Sequence, residues 1–309
     1  MRGASRNAIA SVMTALVGIG AALLSTPMIL QHVGADGYGV WTVAMALVIY
    51  LGIIEAGLAP AAQRFVAMSL GAGDHGGAIR VFWSNLVMYL LLGLAACGVV
   101  ELLAPAFVSL FGFPADLHEQ AVDLVRIVAL ALPLGLTVAA VSNALQGFER
   151  FTAIAVTAAI GSVAYLAALV ILIGQDASLS QLAWAVIAQQ LVVLLARAGL
   201  ALDVLVTRPS FVSRGTAREM AALSAKLQVS VASLLVNGQS DRVVTGLVAA
   251  PAVVGQVGIG SQVAESGRQV AAAPLVPLTN RFATLHGEGD DEALHRDRKS
   301  TRLNSSHAN

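Results

Sequence analysis

Charge is scarce in this chain. Asp, Glu, Lys and Arg make up only 12% of 309 residues, against 57% hydrophobic residues, too few for a soluble surface of this size. Lysine is nearly missing: Lys226 and Lys299 are the only two. Neither follows a glycine, so there is no P-loop, and ATP hydrolysis by that machinery is excluded. The formal net charge is zero, and nucleic acid is not an expected partner. A single cysteine, Cys97, lies inside an apolar segment and excludes a disulfide framework. The six histidines are scattered with no second histidine at metal-ligand spacing. No Ser/His/Asp set is readable. Gly71-Ala-Gly73-Asp-His-Gly76 matches GxGxxG, but no strand precedes it, so a dinucleotide site is not expected there. Neither enzymatic chemistry nor a cofactor is expected.

Long apolar runs dominate instead. Eight segments, at 8–31, 39–62, 82–106, 121–146, 151–174, 180–206, 225–248 and 253–280, each hold about 20 or more mostly apolar residues, enough to cross a ~30 Å hydrocarbon core. Arginine falls in every second gap. Arg2 and Arg6 precede the first segment, Arg64 and Arg80 flank the second gap, Arg150 marks the fourth, and Arg208, Arg214 and Arg218 the sixth. The gaps at 31–39, 107–120 and 175–179 contain neither Lys nor Arg. By the positive-inside rule the N-terminus and the 207–224 loop are cytoplasmic. The first segment is longer than a signal-peptide core and seven more follow, so it reads as a retained helix. Trp41, Trp83 and Trp184 fall near segment ends, where interfacial aromatics are expected. The fold class expected is an all-α polytopic membrane protein.

The chain also repeats itself. Pro60-Ala-Ala-Gln63-Arg64-Phe65 recurs 217 residues later as Pro277-Leu-Thr-Asn280-Arg281-Phe282, and each copy leads into a Gly-rich acidic stretch, Gly71 to Asp74 and Gly287 to Asp290. Gly37 and Gly255 open the corresponding helices at nearly the same offset. Six segments separate the copies, so the repeat keeps its membrane orientation, as in transporters built from parallel repeats with the substrate site between them. The organisation expected is a six-helix bundle over 1–206, a cytoplasmic amphipathic linker over 207–224 and the first two helices of a second bundle over 225–290. The polar stretch 291–309 reads as a non-native tail on a truncated second half, and 1–309 alone is not expected to transport. In the linker, Thr216-Ala-Arg-Glu219 has capping-box spacing and starts a helix that runs on into the seventh segment. Phe211, Met220 and Leu223 alternate there with Arg208, Arg214 and Arg218, which suits a segment lying along headgroups.

Gly34-Ala-Asp-Gly37-Tyr38-Gly39-Val-Trp41, Leu51-Gly-Ile-Ile-Glu55-Ala-Gly57 and Gln63-Arg64-Phe-Val together resemble the polysaccharide-biosynthesis (Wzx-like) flippases. These belong to the multidrug/oligosaccharidyl-lipid/polysaccharide exporter superfamily. Asn237-x-x-x-Asp241-Arg242 and Val254-Gly255 look like the start of that family's second bundle, with Gln256 where the pattern often has an aromatic. The resemblance covers about 1–290. It implies two six-helix bundles and export of polyprenyl-diphosphate-linked oligosaccharide across the bacterial inner membrane. The partners implied are that lipid, membrane lipids, a polysaccharide polymerase and glycosyltransferases. Alternatives are a multidrug/cation antiporter of the same superfamily and a non-transporting membrane scaffold.

A diphosphate needs fixed positive charge in its path. Charged residues inside membrane helices cost roughly 2.5–3.5 kcal/mol each, so they are the candidates for the cleft. Asp241 and Arg242 are adjacent and point about 100° apart, so they do not neutralise each other on one helix; each faces the cleft or bridges to another helix. Glu265 and Arg268, and Asp123 and Arg126, are spaced i, i+3 and can pair locally. Arg197 either contributes to the cleft or snorkels to the cytoplasmic face. Glu55 is a lone carboxylate, a proton site or the partner of an arginine. Asn85, Gln189 and Gln190 are ligands or interhelical glue. Pro27, Pro133, Pro274 and Pro277 permit kinks that would suit rocking bundles. No acidic residue lies in the first segment, which disfavours organic cations.

Overall fold

A computed structural model describes residues 2–51, 58–111, 113, 115–201, 207–249 and 251–272. Among the described residues the regular structure is helical, without a strand. The helices are α1 (Arg2–Leu51), α2 (Leu58–Gly71), α3 (His75–Val108), α4 (Ala115–Gly147), α5 (Phe151–Gly174), α6 (Trp184–Leu200), α7 (Arg214–Val248) and α8 (Pro251–Ala272), with a 3-10 turn at Gln181–Ala183 before α6.

The gap expected at 31–39 is almost entirely helical. One residue interrupts it: Gly34, at φ 72° and ψ 178°, a conformation that a Cβ makes costly. At about 1.5 Å per residue a continuous 50-residue helix would be far longer than a membrane is thick. The single break divides α1 into two arms, the first and second of the expected segments. Elsewhere the turns follow local chemistry. Gly73 takes φ 75°, and the Asp74 carboxylate caps α3 by accepting from the Gly77 N–H at 2.7 Å and from Arg80 at 3.2 Å. The glycine-rich string is therefore a helix cap. At the other end of α4, Arg150 donates to the Leu200 carbonyl at 3.0 Å, placing a cation on the C-terminus of α6. The linker helix starts three residues before the expected capping box. Ser213 is its N-cap and accepts from the Thr216 N–H at 3.2 Å. From there α7 runs unbroken to Val248. Phe211 and Arg208, Arg214 and Arg218 are exposed, while Met220 packs against Val66, Ala78 and Val81 of α2 and α3.

Among the described residues, five stretches are long and apolar enough to cross a membrane: Ile9–Ala46, His75–Val108, Leu117–Gly147, Phe151–Gly174 and Gln181–Leu200. The first holds both arms of α1. The outer faces are what lipid requires: Leu102 is 83% exposed and Leu195 71%. Inside, Ile29, Leu124, Val128, Leu169 and Leu182 form a core shared by α1, α4, α5 and the turn before α6. Small residues let the helices close. A Cβ on Gly93 of α3 would lie 2.6 Å from the Pro133 Cα of α4, and one on Gly161 of α5 would lie 2.2 Å from Val193 of α6.

Contacts between gaps obey the parity of the arginine pattern. The His32 ring bonds the Ala177 carbonyl at 2.8 Å, joining the first gap to the fifth. The turn carrying Gly39 meets Pro251 at the start of α8, joining the first to the seventh. Among the arginine-bearing gaps, the second meets the sixth: Trp83 Nε1 donates to Thr207 Oγ1 at 3.3 Å, and the Val212 N–H to Ser84 Oγ at 3.0 Å. Arg150 of the fourth gap reaches the end of α6, which leads toward the sixth gap. Odd gaps meet odd gaps and even meet even, as a multi-pass chain in a bilayer requires.

Candidate functional site

A cavity of about 310 Å³ opens between both arms of α1, α5, α6 and α8. Its wall is written at helical spacing. The first arm contributes Gly18, Ala21, Ala22, Ser25, Thr26 and Ile29, the second Tyr38, Trp41, Thr42 and Met45. Ser162 and Tyr165 of α5, Val186 and Gln189 of α6, and Gly258 and Gln262 of α8 complete it. Steps of three and four residues put each set on one face of its helix. Along the first arm the wall extends about 16 Å.

The described wall is polar and neutral: among the described residues no Asp, Glu, Lys, Arg or His lines it. Three of its hydroxyls bond to their own helices. Thr26 donates to the Ala22 carbonyl at 2.8 Å, Ser25 to the same carbonyl at 3.2 Å, and Thr42 to the Tyr38 carbonyl at 2.9 Å. Toward the cavity Thr26 and Thr42 offer lone pairs, while Ser25 also shares a hydrogen bond with the Tyr165 hydroxyl. The Gln189 and Gln262 amides, which offer a donor and an acceptor each, make no side-chain hydrogen bond among the described residues. Trp41, placed by its sequence position among the interfacial aromatics, is instead 6% exposed and faces this cavity with Tyr38. Charge was the sequence signal followed for the cleft, so these neutral residues were missed, apart from Gln189. The 3–4 spacing of hydroxyl and aromatic residues on α1 was the available cue.

Above the cavity the two turns at the arginine-poor end press together. An ideal Cβ on Gly39 would lie 1.9 Å from the Pro251 carbonyl oxygen, and one on Gly258 would lie 2.5 Å from Thr42 Cγ2. Gly255 sits against Tyr38 and the Gly39 backbone. The hairpins that the internal repeat made equivalent therefore meet, backbone against backbone.

The charged candidates whose side chains are described lie apart from this wall. Arg197 is buried at 8% exposure and does not snorkel. Its Nε donates to Thr157 Oγ1 at 3.1 Å and its Nη1 to Ser142 Oγ. Those hydroxyls in turn donate to the Ala153 and Val138 carbonyls, so the charge is spread onto the helix backbones of α4 and α5. Among the described residues it has no carboxylate partner. One residue along α4, Asn143 accepts from Gln63 of the Pro-x-x-amide-Arg-Phe string at 3.0 Å and donates to the Tyr89 hydroxyl at 3.2 Å. Ser142 and Asn143 thus tie α4 to α2, α3 and α6, and through Arg197 to α5. Arg126 pairs with Glu101 of α3 at 3.8 Å, across helices, in place of the i, i+3 pairing with Asp123. Both side chains are partly exposed, near the polar start of α4. Arg268 is exposed on α8. The side chains of Asp241 and Arg242 on α7 and of Glu265 on α8, and all of Glu55, lie outside the described residues, as does the second copy of the repeat. Gln190 packs at Gly135 of α4. Asn85 is buried, and its Oδ1 has no partner among the described residues. No group of three or more potential metal ligands occurs among the described residues.

This arrangement of helices has solved counterparts. The chain is similar to a MATE transporter crystallised with MaD3S: TM-score 0.78 and 17% identity, covering 96% of this chain and 68% of that one. An outward-facing multidrug resistance MATE family transporter of the MOP superfamily gives a TM-score of 0.77 at 17% identity, with 96% and 67% covered. A MOP superfamily transporter from Pyrococcus furiosus, described by the reverse polarity of its binding pocket, gives 0.75 at 16%, again with 96% and 67% covered. No curated protein matches the chain. The fold is therefore that of the MOP superfamily, in a multi-pass helical membrane protein. Residues 4–275 match the model of the polysaccharide biosynthesis protein family, and the chain belongs to that family.

Proposed function

We propose that this protein moves a polyprenyl-diphosphate-linked oligosaccharide of O-antigen or exopolysaccharide type across the bacterial inner membrane by alternating access, with its N-terminus in the cytoplasm. The observation that carries the reading is the neutral wall of the cavity, in a member of the polysaccharide biosynthesis family. Aromatic faces and paired amides around hydroxyl acceptors suit a ligand with apolar ring faces and many O–H groups. A multidrug/cation antiporter needs a carboxylate in the path, and among the described residues this wall has none. Two bundles, with 1–206 as the first and the segment after 225 as the start of the second, would rock about the cavity. The polysaccharide polymerase and glycosyltransferases are its expected functional neighbours.

The diphosphate then requires a cation elsewhere on the path, and Arg242 on α7 is the first candidate. Variants placed in the chromosomal gene test it. Arg242→Ala should abolish surface polysaccharide while the protein stays in the membrane. Arg242→Lys should retain part of it, since charge survives without the bidentate geometry. Glu55→Gln should export normally. Full export by Arg242→Ala, or drug resistance that tracks Glu55, would remove this assignment.

A further inference from the structure

The donors and acceptors of the cavity say which part of such a substrate it takes. A diphosphate is an acceptor many times over and carries no proton to give at neutral pH. The hydroxyls of Thr26 and Thr42 already donate to their own helices and so offer it only lone pairs. Among the described residues no cation lines the wall. The buried guanidinium of the first six segments, Arg197, is tied into α4 and α5 by Ser142 and Thr157. A diphosphate placed here would be an uncompensated anion in a partly dry site, which is strongly unfavourable.

A sugar ring fits the same wall. Its hydroxyls can donate to Thr26 and Thr42, and both give to and accept from the Gln189 and Gln262 amides, which reach the cavity from α6 and α8. Trp41 and Tyr165 supply ring faces for its apolar C–H surface. A volume of about 310 Å³ lies at the low end of the roughly 300–1,000 Å³ of small-molecule sites. That is room for a ring or two, not for a whole lipid-linked glycan.

We infer that the α1/α5/α6/α8 cavity is a glycan subsite selective for uncharged sugars, and that the diphosphate is held outside it. The inference rests on the transport reading above, and it adds that a uronic or sialic acid at this position is rejected. Rejection follows because a sugar carboxylate would be buried without a cation to pair with it.

The test is equilibrium binding to the purified 309-residue chain in nanodiscs, with three radiolabelled probes. They are a polyprenyl diphosphate bearing N-acetylglucosamine, one bearing glucuronic acid, and one bearing no sugar. The neutral-sugar lipid should bind about tenfold or more tightly than either of the others, the gain expected from one or two buried hydrogen bonds to sugar hydroxyls. Gln189→Leu with Gln262→Leu should erase that preference and leave the binding of the sugarless lipid unchanged. Equal binding of all three probes by the unsubstituted chain would overturn the glycan subsite and leave the lipid-linked transport reading standing. Tighter binding of the glucuronic-acid lipid, or a preference that survives both substitutions, would also overturn the subsite. Binding of tetraphenylphosphonium with none of the three lipids bound would overturn both readings.

Discussion

The substitution Gly39→Val should separate the two hairpins at the arginine-poor end and cost about 1–3 kcal/mol, the range for an overpacked contact. The reason is what stands in the way. A Cβ at position 39 meets the main-chain carbonyl of Pro251 at 1.9 Å, and its carbon at 2.4 Å. A side chain could rotate aside, but the first turn of α8 cannot move without the helix. Gly39→Ala already introduces that Cβ and should show most of the effect. Gly98→Ala is the control, because nothing lies within 4 Å of its Cβ position. Thermal midpoints in nanodiscs should fall for both position-39 variants and stay put for Gly98→Ala. Surface polysaccharide should fall by roughly tenfold or more in the position-39 variants, since a shift of a few kcal/mol between states depletes one of them. Unchanged midpoints and full export would show that the Gly39–Pro251 approach is not a feature of the working protein.

The second large effect is an asymmetry around Arg197. Removing the charge should be cheap, and removing its partners should not. In Arg197→Met the hydroxyls of Ser142 and Thr157 keep their own bonds to the Val138 and Ala153 carbonyls. No polar group is orphaned, and replacing a buried ion by an apolar side chain of similar length is often neutral or stabilising. In the double variant Ser142→Ala, Thr157→Val the guanidinium stays buried with both of its hydrogen-bond acceptors gone, a loss of about 3–5 kcal/mol by comparison with broken buried ion pairs. The double variant should be recovered from membranes poorly, and adding Arg197→Met to it should restore the yield. Arg197→Met alone should export normally. A stable Arg197→Met protein without export would make Arg197 a substrate ligand rather than an interhelical tie.

The sequence and the structure agree most closely where the physics is one-dimensional. Hydropathy and the spacing of arginines required alternating spans, and the bonds of His32, Trp83 and Arg150 at or near the segment ends follow that parity. Helix starts came close, with Ser213 capping three residues before Thr216, because several hydroxyl residues there can each cap. The break at Gly34 was hidden within a longer expected gap, since one glycine at φ 72° suffices to turn a helix back. What needs interhelical register stayed out of reach. Nothing in the chain pairs Arg126 with Glu101 in preference to Asp123, or points Arg197 at Ser142. The cavity was overlooked for a different reason. A serine, threonine or glutamine in a membrane helix serves equally well as glue. Only the meeting of four helix faces turns Ser25, Thr42, Gln189 and Gln262 into one wall.

The central claim is that the protein carries lipid-linked oligosaccharide across the membrane. It is tested most directly by the sidedness of that lipid in cells from which the protein is depleted. Spheroplasts and inverted vesicles are treated with an impermeant glycan-oxidising reagent, and the fraction of labelled lipid-linked oligosaccharide that reacts is measured. Depletion should leave the glycan lipid accumulated and reactive only in inverted vesicles, on the cytoplasmic leaflet, and re-expression should move it to the outer leaflet. A glycan lipid that reaches the outer leaflet at the normal rate without the protein would contradict the account.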